Sequence, residues 1–456
     1  MDSTSFETLP VGLILDIAEW LPFNDKCQLS FTNSALRNTM LPQIFRSIRV
    51  SCPLKEDRDI RKIVQDYKNY IRRLHVDVKM DPNEEHCRDS TTHHEPVPSV
   101  WGETTAAATI VKAMIQGKAL PRCFNLSIRF NLDQSKEGEV CHAEGSEHEH
   151  FYPADWAIVN EWEETLAWRV KHDEVWRDIT ANTSIRRLDI SNLLPRRSEV
   201  WQTQGWSVFL GKLQDLNVGL FGSNNGSGWN ANSYDRFINF IMALPDSMLC
   251  HTTHLQRLGI AADSEGVIGS TCDNLLLPLP LRRDTLPHLR WLRLKNVVVG
   301  SELMDFLRAL ADGLRELHFE NCMSNAGNMD VKRGPSWAEL WRLVREVNTE
   351  LIVVSFIQED NPPLTSKDST HQFAIGNLPA EETDEIREIR KKLQEDERNV
   401  LWRYVDVHSE YGIVLELIWQ VIDRFQAGED NMQYQGLLDE VARRRQRLLS
   451  NKHSPV

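Results

Sequence analysis

One short pattern limits this chain more than any other. An apolar residue is followed three positions later by a second, and after one more residue by a third. The triplets are Ile71, Leu74, Val76; Cys123, Leu126, Ile128; Ile185, Leu188, Ile190; Leu213, Leu216, Val218; Leu255, Leu258, Ile260; Leu289, Leu292, Leu294; Leu314, Leu317, Phe319; and Leu351, Val354, Phe356. The last two members of each triplet alternate with mostly polar residues, the period-two pattern of a half-buried strand. Helical spacing lies between some of them: Leu303, Phe306, Leu307 and Leu310 share one helix face, which Ser301 and Glu302 can open and Gly313 can close. Ile238, Ile241, Met242 and Leu244 form a similar stretch before the Leu255 triplet.

A strand–helix unit of this size cannot bury its apolar face alone, but stacked neighbours can. The expectation is an α/β fold in which parallel strands line one face and helices cover the other. Residues between the buried positions then point outwards: Arg73 and His75, Arg187 and Asp189, Asp215 and Asn217, Arg257, Trp291 and Arg293, Glu316 and His318. A column of Arg, acids, His and Trp suits a protein-binding surface, because Arg and Trp are common interface anchors. Arg73, Arg187, Arg257, Trp291, Arg293 and His318 are the substrate-facing candidates. The triplets resemble the leucine-rich repeat signature. Their spacing is irregular, about 25 to 42 residues over the last five and about 50 to 60 nearer the N-terminus, so several units carry insertions.

The first fifty residues have a different organisation. Leu13, Ile14, Ile17 and Leu21 fall on one helix face, with Pro10 where a helix can start and Pro22 where it ends. Asn24 and Asp25 can cap a second helix through Phe31; Asn33 or Ser34 can cap a third, which runs to Leu41 and stops at Pro42. Three short helices cannot enclose Leu9, Leu13, Ile14, Leu15, Ile17, Trp20, Leu21, Phe23, Leu29, Phe31, Leu36, Leu41, Ile44 and Phe45 together. Some must meet a following domain or a partner.

The string Leu9-Pro10-x-x-Leu13-Ile14-Leu15-x-Ile17-x-x-Trp20-Leu21, with Leu29-Ser30 and the closing Leu41-Pro42-x-Ile44-Phe45-x-x-Ile48, resembles the F-box family in the form common among fungal members. Gly12 stands where that family usually has Glu, and Leu36 lies where it has Trp. The resemblance implies the substrate-recognition subunit of an SCF-type (cullin-RING) ubiquitin ligase. Leu9, Pro10, Leu13, Ile14, Ile17 and Leu21 would then bind the adaptor, and through it cullin, while the repeats hold an unidentified protein substrate.

The expected domains are residues 1–50, the F-box; 51–360, the irregular repeat array; and 361–456, a helical C-terminal region that can cap the array. Within the array, 81–101 and 134–150 read as polar loops and Gly222–Gly228 as a flexible turn with no phosphate-loop Lys. Asp155–Asp178 reads as a helix, with Trp156, Trp162, Leu166, Val170 and Trp176 as core. Helices are expected over Glu381–Arg398, Tyr411–Phe425 and Tyr434–Leu449, the last ending in the basic run Arg443–Arg445.

Composition bears on function. Charged residues make up 26% and the net charge is -14, against a general nucleic-acid binder, which needs a basic face. No secretory signal or membrane-spanning run is visible, and the 8 scattered cysteines fit reduced thiols in cytoplasm or nucleus. Cys141, His142, His148 and His150 are the densest metal-type cluster but lack paired zinc spacing, as do Cys87, His93 and His94. No nucleophile elbow, dinucleotide fingerprint or kinase signature occurs. The expectation is a binding protein without catalytic residues, metal or cofactor. The rival readings are a repeat scaffold without ligase association, and an enzyme whose site is assembled from distant residues.

Overall fold

The computed structural model describes residues 9–80, 97–132, 167–222, 229–269, 271–272, 275–283, 285–326, 334–358, 374–375 and 383–452. Residues 81–96 of the expected 81–101 loop, the expected 134–150 loop, most of the 222–228 turn, Trp156, Trp162, Leu166 and the Cys87, His93 and Cys141–His150 groups lie outside these residues. The chain forms two compact units, residues 1–133 with 165–189 and residues 134–164 with 190–456. Mixed α/β structure with parallel strands characterises both.

The first unit opens with α1 (Val11–Trp20), α2 (Phe23–Thr32) and α3 (Ser34–Ile44). Ile14, Ala18, Leu36 and Met40 close a small core, with Leu9, Leu29 and Ile44 packed against it. Asn33 caps α3 by accepting from the Leu36 N–H at 2.8 Å, as its position anticipates. Pro42 does not stop that helix. It sits in the last turn, and the Phe45 N–H still reaches the Leu41 carbonyl at 3.0 Å, so only the donor that Pro lacks is lost. Leu36 takes a buried place in this core.

β1 (Ser47–Cys52), α4 (Arg58–Tyr67), β2 (Arg73–Met80), α5 (Thr105–Ile115), β3 (Asn125–Leu132) and α6 (Ala167–Thr180) follow. β1, β2 and β3 run parallel in that order, Val50 opposite Val76 and Val76 opposite Ile128. Their inward side chains, Val50, Leu74, Val76, Val78, Leu126, Ile128 and Phe130, are buried. α6 covers the described part of the expected Asp155–Asp178 helix and runs on to Thr180. Trp176 is core as expected, with Trp168, but the expectation of Val170 as core is incorrect: it lies on the exposed helix face. α6 also pins the end of the 81–101 stretch. Glu174 accepts from the Val100 N–H at 2.9 Å and the Ser99 hydroxyl at 2.7 Å, and Asp178 from Trp101 Nε1 at 2.7 Å.

β4 (Arg187–Leu193) carries the chain into the second unit, which holds α7 (Gln204–Leu210), β5 (Asp215–Leu220), α8 (Asp235–Ser247), β6 (Arg257–Ala261), the paired β7 (Thr271–Cys272) and β8 (Leu275–Leu276), β9 (Trp291–Lys295), β10 (Val298–Val299), α9 (Ser301–Ala309), β11 (Glu316–Glu320), β12 (Met323–Ser324), α10 (Trp337–Val347) and β13 (Val353–Ile357). β5, β6, β9, β11 and β13 are parallel neighbours in that order. Register aligns Leu216, Leu258, Leu292, Leu317 and Val354 in one row and Val218, Ile260, Leu294, Phe319 and Phe356 in the next. The last two members of each of the eight sequence triplets thus lie on a strand, and the first lies two residues before the strand begins. Behind the sheet sit Ile241 and Leu244 of α8, Leu303, Phe306 and Leu307 of α9, and Leu340, Trp341 and Val344 of α10. α9 begins at Ser301 but ends before Gly313, with Leu310 as its C-cap.

Asparagines turn the chain at strand ends. Asn192, Asn296 and Asn321 adopt φ values of 56°, 52° and 48°, a left-handed conformation that Asn tolerates better than most residues. Asn296 then donates from Nδ2 to the Ala262 carbonyl at 2.8 Å. Beyond these turns a second ladder forms: the Val298 N–H donates to Ile268, Met323 to Val297 and Ser324 to Arg403. It covers a satellite core of Val267, Leu277, Val298, Met323, Val405 and Val407.

The C-terminal residues belong to this unit. They form β14 (Ala374–Ile375), α11 (Asp384–Glu395), β15 (Val405–Val407), β16 (Val414–Leu417), α12 (Ile418–Ala427) and α13 (Glu429–Lys452). A continuous helix over Tyr411–Phe425 is therefore incorrect. Gly412, at φ 67°, turns the chain so that Val414–Leu417 pairs antiparallel with Val405–Val407, and helix starts only at Ile418. Trp402 packs on Phe356 with ring centroids 4.6 Å apart, and Tyr434 lies 5.0 Å from Trp341.

Buried Asp430 fastens this region to α10. Its carboxylate accepts from the Ala338 N–H at 2.8 Å and the Tyr404 hydroxyl at 2.7 Å, while Ser336 caps the Glu339 N–H at 3.2 Å. These groups satisfy donors that a helix start leaves unpaired. Asp430→Ala should lower unfolding free energy in urea by about 1–3 kcal/mol, with a smaller loss for Asp430→Asn, which keeps an acceptor.

Candidate protein-binding surfaces

The N-terminal helices expose what their core cannot hold. Of the sequence-selected residues, Ile14 is 4% exposed and belongs to the internal core, whereas Leu13 and Ile17 are 50% and 39% exposed. Pro10 is the exposed N-cap of α1; Leu9 and Leu21 are half-buried, Leu9 against the core. The larger exposed side chains are Trp20 at 89% and Phe31 at 70%, joined by Val11 and Phe23. Trp20, Phe23 and Phe31 stand among the apolar positions too numerous for so small a core. Their sequence spacing does not show which of them lose the competition for it. Several large exposed apolar residues on so short a segment mark an interaction site.

The second surface is the outward face of β6, β9, β11 and β13. It brings four of the six substrate-facing candidates together: Arg257, Trp291, Arg293 and His318. Arg257 and Glu316 are the register partners of Trp291, and Arg293 that of His318. The Arg257 guanidinium lies over the Trp291 ring, 4.3 Å from its centroid, a cation–π contact. The His318 ring centroid is 5.3 Å from that of Trp291. His318 Nδ1 is 2.7 Å from Ser355 Oγ, and its Nε2 is 3.5 Å from Glu316 Oε2.

Glu320, buried at the end of β11, anchors the neighbouring cations. Arg293 donates to it through Nε at 3.0 Å and also through Nη2, and Lys295 Nζ approaches its other oxygen. Lys295, Glu320 and Ser355 complete the cluster without having been singled out from sequence. Extending the strand alternation by one step reaches Lys295 and Glu320; Ser355 needs the register between β11 and β13.

Arg73 and Arg187 belong to the first unit, exposed at the starts of β2 and β4. His75, next outward on β2, has its basicity lowered by burial and by Arg49 and Arg73.

Three of the described cysteines are buried thiols. Burial pushes Cys52 and Cys322 up to about 12 and Cys123 to about 11, far from a reactive thiolate. No group of three His, Cys, Asp or Glu among the described residues is placed to hold a metal ion, and no helix among them is long and apolar enough to cross a membrane.

No family model matches the chain, and no curated protein does. Among solved structures, a glycoside hydrolase family 5 enzyme from Prevotella bryantii, in complex with a xyloglucan tetradecasaccharide, aligns with 11% identity over 67% of this chain and 79% of its own, at a TM-score of 0.17. A likeness at that score carries no inference about fold or activity.

Burial, reinforced by Arg257 and Arg293, lowers the affinity of His318 for a proton, although Glu316 opposes this. Its ring resonances, followed by NMR, should titrate with a midpoint below the ordinary 6.5. In Arg293→Gln the midpoint should move upward, because one of the opposing cations is gone.

Proposed function

We propose that this chain is the substrate-recognition subunit of an SCF-type ubiquitin ligase, with the N-terminal helices as an F-box that binds the adaptor and the strand face as the surface that binds substrate. The observation that carries this reading is the division within the first three helices. Ile14, Ala18, Leu36 and Met40 close a core of their own, while Leu13, Ile17, Trp20 and Phe31 remain in solvent. A module folded in this way presents an apolar face to a helical partner, the role the F-box resemblance assigns it. Neither departure from the family pattern breaks this division. A side chain at Gly12 would meet nothing within 4 Å, and Leu36 fills the core in place of Trp.

The leucine-rich repeat reading has support in the best-formed unit. Leu314, Leu317, Phe319 and Cys322 follow the repeat spacing. Buried Cys322 Sγ lies 3.4 Å from the Leu294 carbonyl of the preceding unit, linking one repeat to the next. In this reading the protein supplies no bond-making group. Tethering raises the local concentration of substrate lysines at a ubiquitin thioester carried by the rest of the complex.

Pull-down of the full chain with the purified adaptor tests the proposal. Trp20→Asp with Phe31→Asp should abolish capture while leaving the circular dichroism spectrum and melting unchanged, since both side chains are exposed. Leu9→Ala with Pro10→Ala should weaken it. Ile14→Ala should act differently, through about 2–5 kcal/mol of lost core packing. No capture by the wild type, or full capture by the double Asp variant, would reject the assignment. Separately, Gly12→Ala should stabilise α1 by about 0.5–1 kcal/mol, because Gly is a poor helix former and the site is open.

A further inference from the structure

Among the described residues, Arg257 is the cation of the strand-face cluster that no acid of the cluster engages. Arg293 and Lys295 are committed to Glu320. Arg257 has no ion pair or hydrogen bond among the described residues; its contact is the Trp291 ring. Asp215 is its register partner on β5. A cation–π contact uses none of the guanidinium N–H donors, and the edge of a guanidinium matches a carboxylate with two parallel hydrogen bonds. In a chain of net charge -14, an uncommitted guanidinium on an aromatic platform is a specific place for an acid to land.

The arrangement also says how much negative charge fits. One guanidinium is available, and Glu316, the register partner of Trp291 on the far side from Arg257, would repel a second negative charge. A singly charged carboxylate suits this balance better than a phosphate dianion. The half-buried Trp291 ring supplies apolar surface for the methylene stem that carries the acid.

We propose that Arg257 and Trp291 bind a side-chain carboxylate of an acidic segment in the substrate protein. This rests on the reading of the strand face as the substrate surface. It adds that the substrate is engaged through an Asp or Glu at Arg257, with the stem of that residue over Trp291.

Fluorescence anisotropy on the full chain tests it with short fluorescein-labelled peptides that alternate Ser with Glu, Gln, Lys or phosphoserine. The Glu peptide should bind at least about tenfold more tightly than the Gln peptide. Arg257→Gln should remove that preference, Arg257→Lys should keep part of it, and Trp291→Ala should weaken the Glu peptide. Bound Glu peptide should also raise the His318 titration midpoint, by offsetting the nearby arginines, which a purely structural role for Arg257 would not do. Equal binding of Glu and Gln peptides, or tighter binding of the Lys or phosphoserine peptide, would overturn the proposal. So would a Glu preference that survives Arg257→Gln in a protein with unchanged melting. Adaptor capture by the same variants separates this from the ligase assignment. Lost peptide binding with intact capture rejects the carboxylate site alone, whereas lost wild-type capture with Arg257-dependent peptide binding rejects the ligase reading and leaves the site standing.

Discussion

Parallel strand pairing over continuous leucine rows is the constraint on which the described structure depends. Strand β9 shows it most clearly. Its backbone is bonded to β6 on one side and β11 on the other, and Leu292 and Leu294 complete rows begun by Leu258 and Ile260. Neither row exists within one strand, and α8, α9 and α10 have no apolar surface to cover until neighbouring strands supply it. The stability of each unit is therefore largely a property of its interfaces. The asparagine turns serve the same end. By entering a left-handed conformation at Asn296 and Asn321, the chain leaves the sheet while the backbone stays bonded to Glu320 and Ile357 of the following strands.

The same register builds the outward face. Strand alternation sends Arg257, Trp291, Arg293 and His318 away from the core, but pairing places the guanidinium of one strand over the indole of the next. Glu320 shows how electrostatics follow from depth. Its carboxylate is buried and needs cations close by, which Arg293 and Lys295 provide. Arg257 is left with an aromatic neighbour instead of an acid. The difference between a structural ion pair and a candidate recognition group comes down to which strand carries the buried carboxylate.

At the other end of the second unit, the C-terminal residues work through one carboxylate and a group of rings. Phe356 on β13 is covered by Trp402, and Tyr434 reaches both Trp402 and Trp341. Asp430 then satisfies the start of α10. Burial raises its proton affinity, and the hydrogen bonds from Tyr404 and Ala338 offset part of that rise.

The local part of this fold was legible in the sequence. Eight triplets mark eight strands because alternation is a property of neighbouring residues, and Asn33 marks the third helix because its cap reaches only three residues on. What failed depended on pairing and packing rather than on local periodicity. Val414–Leu417 is apolar enough for a helix, yet pairs with Val405–Val407 once Gly412 turns the chain. Likewise, the sequence showed that the first helices carry more apolar side chains than they can bury, but only packing assigned Ile14 to the core and left Trp20 outside. Sequence alone determined which residues of each strand face outward, because that follows from backbone geometry. Tertiary structure decided that Arg257 meets Trp291 while Arg293 meets Glu320, because register between strands is set by the pairing of segments that are distant in the chain.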